Sequence, residues 1–312
     1  MPFRQIMAPK LDRFLAARFL AIPFLFAIAI LQSIVIILRF RPEAMVSAGS
    51  YVAVPLAYVA RVFGIPVVLH QMDISPGLAN RLMKSVAAVI TVSVAGLEKS
   101  FPGKRAVHTG IPVRREIIEA FENRPEFSRR AEERFNLDPS RPTLLVVGGG
   151  TGSLQLNRLV ETVIERLAQI ANVIHVTGLG KAGAGFAHAR YKIFPLLGAS
   201  EAGEALAAAD FVVSRAGMGF ISELVAMEKP FLLIPLPDSH QEKNAEFFNR
   251  EAGIPVLGKK VTPEEFFRAV SGYLQDPRSW PGSIEKLRAL VPANATRRLS
   301  EIVLGLDVSK KK

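Results

Sequence analysis

The sequence predicts an α/β protein with two doubly wound parallel sheets, the first one incomplete. Three observations lead there. From residue 42 to residue 290, short apolar runs alternate with amphipathic helical stretches, the pattern of strands joined by crossover helices. Small-residue turns follow three of the runs, at 47–50, 148–153 and 214–217. A charged stretch, poor in apolar runs, divides the pattern into two series. The length of 312 residues suits two domains of ordinary size, and 49% hydrophobic against 21% charged residues is enough for a sizeable core.

Residues 1–41 form a basic and apolar region. Residues 19–38 carry no charge and only two polar side chains, Gln32 and Ser33, between Arg18 and Arg39. Twenty such residues can cross a bilayer, lie in its surface, or form the buried helix of an α/β domain. A crossing would set Arg4, Lys10, Arg13 and Arg18 against the positive-inside tendency, so the favoured reading is a helix on the membrane surface. Pro23 lies near the start, where it would disturb only the first turn.

A first domain is expected over 42–120. Residues 44–46, 66–69 and 88–92 read as strands, 54–63 and 78–85 as helices, and a short strand from Val107 ends at Gly110-Ile111-Pro112. Residues 121–142 read as a linker leading into a short surface helix. The second domain is expected over 143–290, with strands at 143–147, 173–176, 211–213 and 231–234. Helices are expected at 154–168, 202–208, 219–227, 241–250, 263–274 and 283–290. In the first of these, Leu156, Leu159, Val160, Val163, Ile164 and Leu167 fall on one helical face. Residues 291–312 read as a C-terminal helix with a solvated Lys310-Lys311-Lys312 tail.

The charge balance, 39 Lys and Arg against 28 Asp and Glu, gives +11 and favours polyanions: anionic lipid, nucleic acid or phosphate-bearing substrates. Nucleic acid is disfavoured, because aromatic residues are only 8% and do not interleave with basic clusters. The absence of cysteine rules out disulfides and thiolate metal sites, and the five histidines form no His-x-x-x-His pair, so no metal is expected.

Three segments carry chemistry. Gly148-Gly149-Gly150-Thr151-Gly152-Ser153 lies between a strand and a helix, where backbone N–H groups and the helix N-terminus suit a phosphate or pyrophosphate. It lacks the Lys of a Walker motif and the third Gly of the dinucleotide fingerprint. Ser214-Arg215-Ala216-Gly217 follows a strand, with Glu223 in the next helix, where a carboxylate could accept from a ribose diol. Residues 235–245 cluster polar groups suited to sugar hydroxyls, or to capping a helix through Asp238 or Ser239.

Taken jointly and in order, several stretches resemble the MurG family, UDP-N-acetylglucosamine:lipid-linked N-acetylmuramyl-peptide transferases. These are residues 47–52, 64–71 (Gly-Ile-Pro-Val-Val-Leu-His-Gln), 110–114 (Gly-Ile-Pro-Val-Arg), 146–152, 175–178 (His-Val-Thr-Gly), 214–217, Ser222-Glu223, and His240-Gln241 with Asn244-Ala245. The resemblance spans about residues 8–305. It implies the GT-B fold, two Rossmann-like domains, with UDP-GlcNAc as donor substrate and no cofactor. Gly149, Gly150, Thr151, Gly152 and Ser153 would wrap the diphosphate, with Arg114 nearby in the hinge region and Arg215 and Gly217 in the adjoining turn. Glu223 would hold the ribose and Met218 would lie near the uracil. His240 and Gln241 would face the GlcNAc hydroxyls, and Asn244 would support their loop. Gly49, Ser50 and Tyr51 fall on the acceptor side. The implied acceptor is a polyprenyl-pyrophosphate-linked muramyl peptide at the cytoplasmic face of the membrane.

The resemblance is weaker on the acceptor side. The family opens with a strand and a Gly-Gly-Thr-Gly-Gly-His loop that has no counterpart here. His70-Gln71-Met72-Asp73 replaces His-Glu-Gln-Asn, Ile111 replaces an Asn, and Ser50 a Gly. His70 and Asp73 are the available candidates for the general base, His70 alternatively being a structural histidine at a strand end. Three readings follow: a transferase whose first domain is shortened or whose sequence was recorded from a late start codon; a membrane-tethered donor-binding subunit needing a partner chain to supply the missing region, with an exposed sheet edge as its mark; or a transferase with another lipid acceptor.

Overall fold

A computed structural model of the chain describes residues 5–6, 22–181 and 186–306. The N-terminal basic residues Arg4, Lys10, Arg13 and Arg18 and the Lys310–Lys312 tail lie outside the described residues. The chain divides into two compact units: residues up to Gly110 together with those from Asn294 onward, and Ile111–Ala293.

The apolar run folds as α1 (Ile22–Phe40), with Pro23 in the first turn, where a missing N–H costs no helical bond. Ala29, Ser33 and Ile37, spaced by four, are buried. Most of the remaining apolar side chains are not, Phe24 being 75% and Leu31 63% exposed. Over Pro23–Phe40 only 17% is buried among the described residues, which favours the membrane readings of this run over the buried-helix one. Next come β1 (Met45–Ser47), α2 (Ala53–Val62), β2 (Val67–Gln71), α3 (Leu78–Met83), β3 (Val89–Val92) and β4 (Ala106–His108). All pairings are parallel, in the order β1-β2-β3-β4, with Val46 opposite Val68 and His70 opposite Thr91. Strands β2 and β3 are buried at every position, as a parallel sheet covered on both faces requires. Among the described residues β1 is an edge, and Val46 on it is 49% exposed.

The second unit opens where the sequence suggests a linker. In place of the expected linker with one short surface helix, residues 115–135 form two helices, α4 (Arg115–Glu122) and α5 (Arg124–Phe135). Phe127, Ala131 and Phe135, at i, i+4 and i+8, bury one face of α5 while its charges pair along the other. There follow β5 (Thr143–Val147), α6 (Leu154–Ile170), β6 (Asn172–Val176), β7 (Tyr191–Phe194), α7 (Ala199–Ala208), β8 (Phe211–Ser214), α8 (Met218–Ala226) and β9 (Phe231–Leu233). The unit closes with α9 (His240–Ala252), α10 (Pro263–Gln275) and α11 (Ile284–Leu290), while α12 (Ala295–Leu304) belongs to the first unit. Both α4 and α5 pack on α7, closely enough that a Cβ on Gly203 would lie 3.0 Å from the Glu116 carbonyl oxygen.

The second sheet is parallel, in the order β7-β6-β5-β8-β9. The predicted face of α6 is buried against it, and Leu156, Val160 and Leu167 share a core with Phe211 and with Phe266 of α10. Each such side chain contributes on the order of 2 kcal/mol by leaving water. Edge strand β7 has no counterpart in the sequence reading: its Tyr-Lys-Ile-Phe run is short and, after Tyr191, only half-buried.

Candidate functional site

Strand order reverses at β5, so the loops after β5 and β8 emerge side by side, the place where doubly wound sheets bind ligands. The turn after β5 has no room for side chains at three points. A Cβ on Gly148 would lie 2.5 Å from Ser153 N, one on Gly152 would lie 2.1 Å from Thr177 O, and one on Gly178 would lie 2.5 Å from Gly152 Cα. Gly149 and Gly152 also have φ of +80° and +70°. At the exposed crest, by contrast, a Cβ on Gly150 would meet nothing within 4 Å. Thr151 is exposed beside it. Ser153 is buried, and its hydroxyl accepts from Leu156 N (3.3 Å) as the N-cap of α6. Capping uses the hydroxyl as an acceptor and leaves its O–H as a donor.

Arg114 and Glu223 are bound to each other. Arg114 Nε donates to Glu223 Oε1 (2.7 Å) and Nη2 to Oε2 (2.9 Å), a bidentate pair in which Glu223 is nearly buried and Arg114 is 43% exposed. That hydrogen bond raises the Arg114 pKa further. Arg114 is thus held against the expected ribose carboxylate through Nε and Nη2, and its other guanidinium N–H groups are not engaged by Glu223. It lines a cavity of about 170 Å³ with Gly149, Gly150, Leu196, Leu197 and Phe220. Met218, the residue expected beside a base, is buried, and Phe220, two positions on, lines the cavity.

Arg215 Nη1 donates to Gly152 O (3.1 Å) and its Nε to Gln241 Oε1 (3.1 Å); burial lowers its pKa. Leu236 N also donates to Gln241 Oε1 (3.0 Å). Two donors on one atom identify it as the oxygen, so Gln241 ties its own loop to Arg215 and has only its amide N–H groups to offer a sugar. Gly217, half-buried, is the N-cap residue of α8. Asn244 is buried and donates to Ala216 O (3.1 Å), while His240 opens α9 exposed to solvent. Ser239, not Asp238, caps that helix, accepting from Gln241 N (3.2 Å). The sequence reading missed Lys181, whose Nζ donates to Gly152 O (3.3 Å), and the cavity residues Leu196, Leu197 and Phe220. Phe220 was signalled only by its place just after the Gly217 turn.

In the first unit, Gly49 (φ +107°), Ser50 (φ +83°) and Tyr51 form the turn after β1, with Tyr51 exposed. Ser50 holds a left-handed conformation that disfavours side chains. Gln71 Nε2 donates to Asp73 O (2.5 Å), and Asn80 Nδ2 donates to Gln71 Oε1 (2.6 Å). His70 is only 4% exposed, with Nδ1 2.8 Å from Thr91 Oγ1 and Nε2 enclosed and unpartnered among the described residues. This enclosure favours the structural reading of His70 over the general-base reading. Asp73, half-buried after β2, remains as the candidate base.

Burial lowers the pKa of both His70 and His175 from 6.5 to about 4. A histidine held below its unfolded value stabilises the fold above pH 6.5, and that contribution is lost as pH falls toward the folded value. Each could cost up to about 3 kcal/mol in full. The melting temperature is therefore expected to fall between pH 6.5 and 4; a flat profile in a thermal scan over that range would contradict the buried neutral state.

Among the described residues, no three His, Asp or Glu side chains are grouped to hold a metal ion. The glycosyltransferase family 28 C-terminal domain matches residues 143–286 and the N-terminal domain of that family matches residues 1–92. A UDP-N-acetylglucosamine–N-acetylmuramyl-(pentapeptide) pyrophosphoryl-undecaprenol N-acetylglucosamine transferase from Clostridium kluyveri is 31% identical over 308 residues, covering 96% of this chain and 84% of that protein. A protein of the same name from Clavibacter sepedonicus is 36% identical over 273 residues, 86% of this chain and 72% of that one. Among solved structures, Acinetobacter baumannii MurG matches with a TM-score of 0.67 at 21% identity, covering 91% of this chain and 79% of that one. The S. aureus MnaA–UDP co-structure also gives 0.67, at 11% identity over 93% and 83%. At such identities the likeness establishes the fold, the GT-B pair of parallel-sheet α/β units. With the family match in both halves and relatives above 30% identity along most of its length, the chain belongs to glycosyltransferase family 28, in its MurG family.

Proposed function

We propose that the chain transfers N-acetylglucosamine from UDP-GlcNAc to a polyprenyl-pyrophosphate-linked muramyl peptide, inverting the anomeric centre. The observation that carries this reading is the Arg114–Glu223 pair set beside Gly149 and Gly150 at the strand-order reversal. The carboxylate keeps lone pairs for a ribose diol while the guanidinium keeps N–H groups for phosphate. Leu196, Leu197 and Phe220 offer an apolar wall for the uracil ring. Backbone N–H groups of residues 149–151, with Arg114 and Arg215, meet the diphosphate, while Gly152 N closes the turn on Gly149 O.

In the reaction the acceptor hydroxyl oxygen bonds to the anomeric carbon and the bond from that carbon to the diphosphate oxygen breaks. The electron pair leaves on UDP, where the cationic turn stabilises the added charge. The hydroxyl proton goes to a base, for which Asp73 is the candidate. The reading invokes no cofactor. Its test is transfer of labelled GlcNAc from UDP-GlcNAc to the muramyl-peptide lipid in vesicles. Label in the lipid fraction supports it; hydrolysis alone, or no turnover by folded protein, contradicts it.

The same reading puts the protein on the cytoplasmic face of the membrane through α1. At about 1.5 Å per residue its 19 residues extend about 28 Å, close to the hydrocarbon thickness, but its exposed apolar side with Arg39 and Arg41 at the end suits an anionic surface equally. Changing Phe24 and Leu31 together to Glu is expected to cut sedimentation with phosphatidylglycerol vesicles by about tenfold or more. Undiminished sedimentation would exclude α1 as the contact. Among the described residues the β1 edge is open, which favours a second reading, in which a further segment or partner chain adds to the first sheet. Its mark would be donor binding without transfer by the isolated chain.

A further inference from the structure

Three polar side chains are buried between β6, β7 and α6, where apolar groups would pack at less desolvation cost: Asn157, His175 and Tyr191. Their hydrogen bonds run in one direction only. Asn157 Nδ2 donates both its hydrogens, to Thr177 O (3.0 Å) and Lys181 O (2.9 Å). Its Oδ1 therefore accepts, and the atom 3.1 Å away, His175 Nε2, must carry the proton. His175 Nδ1 is then an acceptor, and the Tyr191 hydroxyl, at 2.8 Å, donates to it. One tautomer joins the whole chain, from Tyr191 through His175 and Asn157 to two backbone carbonyls.

Those carbonyls bracket the turn that carries Gly178 (φ +92°), and this turn meets the glycine-rich turn backbone to backbone. No side chain lies between them to absorb a shift, since a Cβ on either Gly152 or Gly178 would penetrate the other segment. Lys181 Nζ also returns to Gly152 O, the same oxygen that receives Arg215 Nη1. Displacement of Asn157 would therefore reach Gly152 directly.

We propose that Tyr191, His175 and Asn157 form a buried relay that fixes the Thr177–Lys181 turn beneath the Gly148–Ser153 turn, making His175 and Asn157 positioning residues for the diphosphate of the donor. The proposal deepens the donor reading and rests on it for the identity of the ligand; the mechanical coupling does not.

The test uses the full chain with His175→Leu, Asn157→Leu, Tyr191→Phe and His175→Gln, the last retaining an N–H for Asn157 and an acceptor for Tyr191. Two readouts are needed: amide hydrogen exchange at Gly152 and Gly178, and affinity for UDP against uridine, the latter by competition. Exchange at both glycines is expected to accelerate in the Leu variants. UDP affinity is expected to fall about tenfold while uridine affinity holds, with recovery in His175→Gln. If the Leu variants do not fold, Tyr191→Phe, which removes one hydroxyl, carries the same expectation in smaller measure. Unchanged exchange, or an equal loss for UDP and uridine, overturns the proposal. Wild-type protein that binds neither nucleotide overturns the donor reading instead, and the exchange result still decides whether the relay holds the turn.

Discussion

Glu223→Ala is expected to weaken UDP-GlcNAc binding by about a hundredfold or more, because a ribose diol would lose two hydrogen bonds to a charged acceptor, each worth roughly 1.5–3 kcal/mol. The structure adds a second effect. Both carboxylate oxygens hold Arg114, so the substitution also releases the guanidinium that lines the cavity beside Gly149 and Gly150. A released arginine can still meet phosphate, which offsets part of the loss for UDP but none for uridine. Uridine affinity should therefore fall by the larger factor. Since Arg114 is partly exposed, the fold should tolerate the change with a small loss of melting temperature. Calorimetry on the variant reads both ligands. Unchanged affinity for uridine would remove Glu223 from the ribose.

Gly150→Val is expected to abolish donor binding and leave the fold intact. Nothing lies within 4 Å of a Cβ there, and the backbone is not left-handed, so the valine side chain enters open space over the crest of the turn. That space is where a diphosphate must approach the backbone N–H groups. Gly152→Ala should do the reverse. With φ at +70° and a Cβ placed 2.1 Å from Thr177 O, it forces two backbone segments apart and is expected to cost several kcal/mol of stability. Urea unfolding alongside nucleotide titration separates the two glycines. A folded Gly150→Val protein with full donor affinity would show that the crest is not the phosphate site.

The strands were legible where burial on both faces makes a continuous apolar run, as in Thr143–Val147 and Val89–Val92. At β7 a half-buried edge leaves only Tyr-Lys-Ile-Phe, too short and mixed to stand out. In α5 the spacing of Phe127, Ala131 and Phe135 was present in the sequence, but the surrounding Arg and Glu residues outweighed it, and a packed helix read as part of a linker with a short surface helix. The glycine-rich turn was legible because its chemistry lies in missing side chains. Pairs made by the fold were not: Arg114 and Glu223 lie 109 positions apart, and neither residue type announces its partner. His70 shows the same limit in reverse, since a histidine at a strand end suits a base and a structural residue alike until its enclosure and its contact with Thr91 are seen.

The donor reading places a working UDP-sugar site within Ile111–Ala293. Calorimetric titration of the purified full chain with UDP-GlcNAc tests it most directly, with UDP-glucose as the competing ligand and Glu223→Ala as control. One saturable site that prefers UDP-GlcNAc and is lost in the variant is expected. Folded wild-type protein that takes up no heat with either nucleotide sugar would contradict it.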